Sequence, residues 1–223
     1  MSDNPTRGRS RVRRLPKRAS YDRATIDAIL DAGLICHVGL VAGGSPVVIP
    51  MAYARRGEEL LLHGSSASRL MTALAAGGEA SVAVTHLDGI VVARSGFHSS
   101  MNYRSVVLFG KARAIAAEEE KRAALNALVD HLIPGRSAEL RPMTPNEMKV
   151  TTVVAIPIDE FSAKVRMGPP VDDEEDYALG AWGGVVPLRL EAGEPLADGR
   201  SDDAVAVPES VQRLRRRFED ERS

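Results

Sequence analysis

Short β-rich runs that end in glycine turns constrain this chain more than any other feature. Residues 34–41 and 46–54 are β-rich and flank Gly43-Gly44-Ser45, a hairpin signal. A third run, 58–63, follows Gly57. Runs at 80–85 and 90–94 are separated by Asp88-Gly89, a strong turn dipeptide. Residues 103–115 read as one long strand and 151–165 as a last one. Between these lie a few helical stretches. Ile26, Ile29 and Leu30 recur at helical spacing until Gly33, a short helix carries Leu70, Met71 and Leu74, and 117–132 is amphipathic up to Pro134-Gly135. Six or seven strands in hairpins predict a mainly β chain with α additions, folded as an antiparallel barrel and not as a parallel doubly wound sheet.

Composition bounds what surrounds that barrel. With 223 residues, a 44% hydrophobic share and a net charge of −1, the chain reads as one large domain with appendages and no global field for nucleic acid. There is no run of roughly 18 apolar residues, which excludes a membrane-spanning helix. The N-terminus lacks a secretory pattern, and the lone Cys36 has no internal disulfide partner, so a cytoplasmic location is expected. Residues 1–19 form a basic arm crowded with Arg7, Arg9, Arg11, Arg13, Arg14, Lys17 and Arg18. No aromatic residue is interleaved to stack on a base, so the arm is read as packing on a partner subunit. Residues 20–190 are the domain, 191–207 a linker and 208–223 a short charged helix.

The segment 60–69 carries the first hint of function. An apolar strand runs into Gly64-Ser65-Ser66-Ala67-Ser68, and Arg69 then sits in the first turn of a helix that Ser65 or Ser66 can cap. A cation there opposes the helix dipole by ~0.3–1 kcal/mol. A bound anion reverses that penalty. The surrounding stretch is poor in acids: from Leu60 to Ala117 only Glu79 and Asp88 are acidic, against Arg69, Arg94, Arg104, Lys111 and Arg113. Within it, the loop 94–105 gathers His98, Ser99, Ser100, Asn102, Tyr103 and Arg104 without one Asp, Glu or Pro. The two segments together predict an anionic cofactor bound between them.

Other chemistries leave no trace. The chain has no Gly-x-Gly-x-x-Gly, P-loop or Gly-x-Ser-x-Gly motif. Its five histidines show no metal-ligand spacing, and Cys36 and His37 alternate to opposite faces of a strand. Apolar surroundings are expected to raise the Cys36 pKa and keep it from acting as a nucleophile. The acidic run Asp172-Asp173-Glu174-Glu175-Asp176 reads as a solvated turn.

The motifs His63-Gly-Ser-Ser-Ala-Ser-Arg69, Thr85-His-Leu-Asp-Gly-Ile-Val-Val-Ala-Arg-Ser95, the stretch from Phe97 to Ala112 and the one from Asp172 to Trp182 resemble a known family. It is the pyridoxamine 5′-phosphate oxidase-related, FMN-binding split-barrel proteins, in the branch that includes nitroimidazole-resistance proteins. The resemblance implies a homodimer with FMN in a groove at the subunit interface. It implies that Ser68 and Arg69, with Ser65 and Ser66 nearby, hold the flavin phosphate. The backbone of Val48, Ile49, Pro50 and Met51 lies along the isoalloxazine ring, and His63 borders it. Asn102, Tyr103, Arg104 and Ser105 close the site. Under this reading Arg104 or Arg94 places charge near the pyrimidine end, His98 is the candidate proton donor and Trp182 covers the ring. Ser99 departs from the His-His pair that relatives often carry where this chain has His98-Ser99. The residues that grip the substrate phosphate in true pyridoxamine-phosphate oxidases have no counterpart, so vitamin B6 oxidation is not expected. The expected activity is flavin-dependent reduction of a small molecule. A deazaflavin-dependent reductase and a non-catalytic flavin- or haem-binding module are the alternatives.

Overall fold

The computed structural model describes residues 8–200 and 205–220. The part of the basic arm before Gly8, including Arg7, and the linker stretch 201–204 lie outside the described residues. Among those described, ten strands join in one sheet and every pairing is antiparallel. After β1 (Ala19–Ser20) and α1 (Arg23–Ala32) come β2 (Ile35–Ala42), β3 (Ser45–Arg56) and β4 (Glu59–Ser65). Then follow α2 (Arg69–Ala75), β5 (Glu79–Val92), β6 (Ser100–Lys111), β7 (Arg113–Ala114) and α3 (Glu118–Leu132). The chain continues through α4 (Pro145–Val150), β8 (Thr151–Pro157), β9 (Glu160–Arg166), β10 (Gly184–Pro187) and α5 (Glu209–Asp220). Strand order is β1-β9-β6-β5-β2-β3-β4-β8-β7, and β10 adds to β5.

The hairpin signal at 43–45 holds. Ala42 pairs with Ser45 across Gly43 and Gly44, both at positive φ, as a two-residue turn between right-twisted strands requires. The signal at Asp88-Gly89 does not produce a turn. β5 runs unbroken through it, and the register slips there from Leu87↔Tyr103 to Gly89↔Asn102, leaving Asp88 as the extra residue of a bulge. The glycine serves a different need. A Cβ at Gly89 would lie 3.0 Å from the carbonyl oxygen of Val186, so Gly89 is what lets β10 close on β5.

The expected strand 151–165 is two strands. β8 pairs with β4 and β9 with β6, so Ile158 and Asp159 form a corner at which the chain passes from one edge of the sheet to the other. This crossing curls the sheet into a barrel, and a Cβ at Gly110 would sit 2.7 Å from Ile156 at the seam. Inside lie Ile26, Leu30, Val38, Leu60, Leu62, Leu74, Val82, Leu108 and Ile156. A second core of Leu61, Leu125, Leu128, Met148 and Val153 fills the space between β4, β8 and α3. The split between the two cores follows from alternation along β4.

α1 buries Ile26, Ile29 and Leu30 as its spacing predicts and is capped by Asp22, whose carboxylate accepts from Thr25 N–H at 2.9 Å. Gly33 ends it without a left-handed backbone; a Cβ there would lie 2.4 Å from the buried Tyr53 hydroxyl. The described part of the N-terminal arm packs on its own chain: Arg9 makes a bidentate pair with Glu160 at 2.9 and 2.8 Å and lies over the Phe109 ring. The C-terminal helix α5 spans Glu209–Asp220, and the last residues of the expected 208–223 helix, 221–223, lie outside the described residues. Its Phe218 is buried, and Ser210 donates to Glu139. No helix among the described residues is long and apolar enough to cross a membrane.

Candidate functional site

The barrel opens between β3 and β4. The two strands pair only from Tyr53↔Leu62 to Arg56↔Glu59; earlier in β3 and later in β4 they diverge, while β4 stays paired to β8 as far as Ser65↔Thr151. A cavity of about 560 Å³ occupies the opening. On one side it is lined by Val47, Ile49 and Met51, alternate residues of β3. On the other it is lined by Gly64, Ser65, Ser68 and Arg69. Two segments singled out in the sequence, 48–51 and 65–69, therefore meet here. Alternation divides the first of them: Ile49 and Met51 face the cavity, whereas Val48 and Pro50 face outward.

Each serine of the turn has a distinct task. Ser68, not Ser65 or Ser66, caps α2, accepting from Met71 N–H. Ser65 builds the turn, its carbonyl accepting from Ser68 N–H at 2.9 Å and its hydroxyl from Ala67 N–H at 3.2 Å. Ser66 N–H donates to Val150 O at 2.9 Å and ties the turn to α4. Arg69 is exposed at the cavity rim and makes no ion pair or hydrogen bond among the described residues. His63 lies on the face of β4 shared with Leu61, away from the cavity lining. Burial pushes its pKa down, and its Nδ1 is buried without a hydrogen-bond partner.

The remaining predicted residues are elsewhere in the protomer. β5 and β2 intervene between β6 and β3, so Asn102, Tyr103, Arg104 and Ser105 do not reach the Arg69 cavity within one chain. Asn102 accepts from the buried Arg166 and donates to Gly168 O at 3.2 Å. Tyr103 sits between Leu87 and Arg166 in the sheet, and Ser105 donates to Lys164 O. Arg104 is paired with Asp88 at 2.9 Å. Arg94 is held by the buried Asp172 at 3.0 Å and lies over the Tyr177 ring. These pairings answer the acid-poor reading of the loop: its carboxylates arrive from residues 88 and 172–173 through the fold. His98 contacts Asp173 at 3.2 Å, and the two, with Asp176, bring ligand atoms within 4.8 Å of one another in a cluster of which only Asp173 is exposed. Trp182 is mostly exposed and covers Gly184.

A second cavity, about 600 Å³, was not foreseen from the sequence. Its floor is the β5 segment around His86 and Asp88 with Arg104, and its walls are Leu188, Arg189, Leu190 and Phe218. No local pattern announces it, because its two halves lie about a hundred residues apart and are joined by the pairing of β10 with β5.

An antiparallel barrel split between β3 and β4, with a Ser-Arg turn at the opening, defines the split-barrel class. The chain belongs to the pyridoxamine 5′-phosphate oxidase family, whose model matches residues 22–165. Among solved structures it is 44% identical to the FAD and haem binding protein from Mycobacterium smegmatis, over 89% of this chain and 97% of that one, with a TM-score of 0.86. It is 42% identical to the flavocytochrome Anf3 from Azotobacter vinelandii, over 94% and 98% of the two chains, with a TM-score of 0.89. A putative 5-nitroimidazole antibiotic resistance protein from Bacteroides thetaiotaomicron shares the fold at 23% identity, over 66% and 86% of the chains, with a TM-score of 0.56. Among curated proteins nothing matched.

Proposed function

We propose that this chain is a redox flavoprotein that also carries haem, with its flavin in the β3–β4 cavity. The observation that carries the flavin assignment is Arg69, an unpaired guanidinium at the rim of a cavity whose other wall is the apolar edge of Val47, Ile49 and Met51. A flat apolar ring against a strand and a phosphate against a cation are the two halves of a flavin nucleotide. Ser65 and Ser68 stand beside Arg69 to complete the phosphate contacts. The relative 44% identical is named for FAD and haem, which favours FAD over the FMN expected from the sequence. When bound, the flavin supplies electron or hydride transfer to a small molecule, and the protein supplies position and electrostatics.

The reading includes a homodimer. Ile35, Val41 and Val48 are all more than half exposed on the outward face of β2 and β3, with Pro46 and Pro50 beside them in register. A second copy on that face covers these apolar side chains.

The purified full-length protein tests this directly. Flavin absorption bands are expected as isolated, and chromatography of the cofactor released by denaturation separates FAD from FMN. Arg69→Ala is expected to weaken flavin binding by about 5–30-fold, the loss of ~1–2 kcal/mol from one solvent-facing charged hydrogen bond. Full retention of affinity in Arg69→Ala removes the phosphate assignment. Absence of flavin after reconstitution with FAD and with FMN removes the reading altogether.

A further inference from the structure

The second cavity has the chemistry of a haem pocket. His86 forms part of its floor, and its Nε2 lies 3.0 Å from Ile29 O. A carbonyl only accepts, so Nε2 carries the proton and Nδ1 presents its lone pair; no partner for Nδ1 is found among the described residues. An imidazole fixed through one nitrogen by a backbone carbonyl is how proteins orient a histidine that ligates metal through the other. Apolar side chains form part of the cavity wall, beside Thr85, Asp88 and two arginines. Leu188 and Leu190 are 39% and 63% exposed, and Phe218 closes the back. Arg104 and Arg189 both border the cavity. Arg104 is already neutralised by Asp88, whereas Arg189 makes no ion pair among the described residues. A volume of about 600 Å³ falls within the roughly 300–1,000 Å³ of ligand pockets.

We infer that haem binds in this cavity, with His86 Nδ1 as a ligand of the iron, Leu188, Leu190 and Phe218 against the macrocycle, and Arg189 at a carboxylate. The inference rests on the haem reading above and specifies where that haem sits. It also accounts for the C-terminal segment. The family model ends at Val165, and Leu188, Arg189, Leu190 and Phe218 all lie beyond it. The two similar structures named for haem or as a flavocytochrome match 89% and 94% of this chain, which necessarily reaches past that boundary.

The test is haem uptake by the full-length protein, followed by the Soret band and electron paramagnetic resonance of the ferric form. The variants are His86→Gly, Arg189→Ala and His63→Ala, the last because His63 also holds a ring nitrogen without a partner. Thermal unfolding establishes that each variant is folded. His86→Gly is expected to shift the Soret band and to weaken haem binding by about 10–100-fold or more, since losing even an outer partner of a metal ligand costs that much. Added imidazole is expected to restore the spectrum, which a merely structural role for His86 does not explain. Arg189→Ala is expected to weaken binding about tenfold at an unchanged Soret position, the loss of one charge-assisted contact. If the wild type binds haem and His86→Gly keeps its spectrum and affinity, the assignment is wrong while the haem reading stands. A spectral change confined to His63→Ala overturns it in the same way. If the wild type takes up no haem, the haem reading and this site fall together.

Discussion

Arg217 holds the C-terminal helix to the barrel, and its removal has a calculable effect. Its guanidinium donates to His131 O at 2.8 Å and to Asp31 O and Ala32 O at 2.6 and 3.1 Å. These carbonyls belong to the last turns of α3 and α1, where helices leave acceptors unsatisfied. One cation thus serves two helix C-termini. Each such contact stabilises by ~0.3–1 kcal/mol at the surface and up to ~2 kcal/mol when partly buried, so Arg217→Ala is expected to cost about 1–3 kcal/mol. The loss falls on the docking of α5, whose other anchors are Phe218 and the Ser210–Glu139 contact. At 2 kcal/mol the undocked population rises about thirtyfold. Amide hydrogen exchange across 211–218 is expected to accelerate by that factor while the β2, β5 and β6 amides are unaffected. Arg217→Lys keeps the charge without the fork and is expected to fall between the two. Unchanged exchange in α5, or equal acceleration in the barrel strands, refutes the reasoning.

Burial pushes the Cys36 thiol up to about 12, so the native protein at pH 8 is expected to resist alkylation and to react once unfolded; stoichiometric labelling of the native form contradicts this. Arg141 and the capping box of Thr144 hold the Glu147 carboxyl down to about 2. That lowered acid stabilises the fold fully above its ordinary value near 4.5 and loses the effect as pH falls toward 2. The stability difference between wild type and Glu147→Gln is therefore expected above pH 5 and to vanish near pH 2 in denaturation curves. Burial also lowers the pKa of His63 and His131, so both resist protonation only when folded. The unfolded chain then binds more protons below about pH 6.5, and a double Gln variant is expected to show a flatter stability profile between pH 7 and 5.

The parts of the fold carried by local pattern were legible. Alternation put Cys36 and His37 on opposite faces, of which Cys36 has the buried one, glycines at 43 and 44 made the hairpin, and the spacing of Ile26, Ile29 and Leu30 made α1. The family resemblance puts 48–51 and 65–69 at one flavin; Ile49, Met51, Ser65, Ser68 and Arg69 line one cavity, whereas Val48 and Pro50 turn away from it. What escaped was set by partners far away in the chain. Asp88-Gly89 has the chemistry of a turn, yet it becomes a bulge because β10 arrives to pair with it. Arg94 and Arg104 looked unopposed because their carboxylates are at positions 172 and 88. The same blindness hid the second cavity, whose Leu188, Leu190 and Phe218 come to β5 from about a hundred positions further along the chain.

β3 poses a separate question, since its first half is apolar and exposed on both faces. Val48 is 64% exposed on one side and Ile49 39% on the other, an arrangement a lone barrel does not stabilise. The proposed function gives it two different occupants: a second copy against Val48 and a ring against Ile49. Burying a valine contributes ~1.5–3 kcal/mol, and a two-fold interface counts it twice, so Val48→Glu is expected to raise the dimer dissociation constant by about 10²–10⁴. Ile49→Glu is expected to leave the dimer intact in analytical ultracentrifugation while abolishing flavin retention, because it sets a carboxylate beside the phosphate-binding turn. The discriminating result is Ile49→Glu. If that variant is monomeric, or if it is dimeric and keeps its flavin, the two faces of β3 do not divide the work in this way.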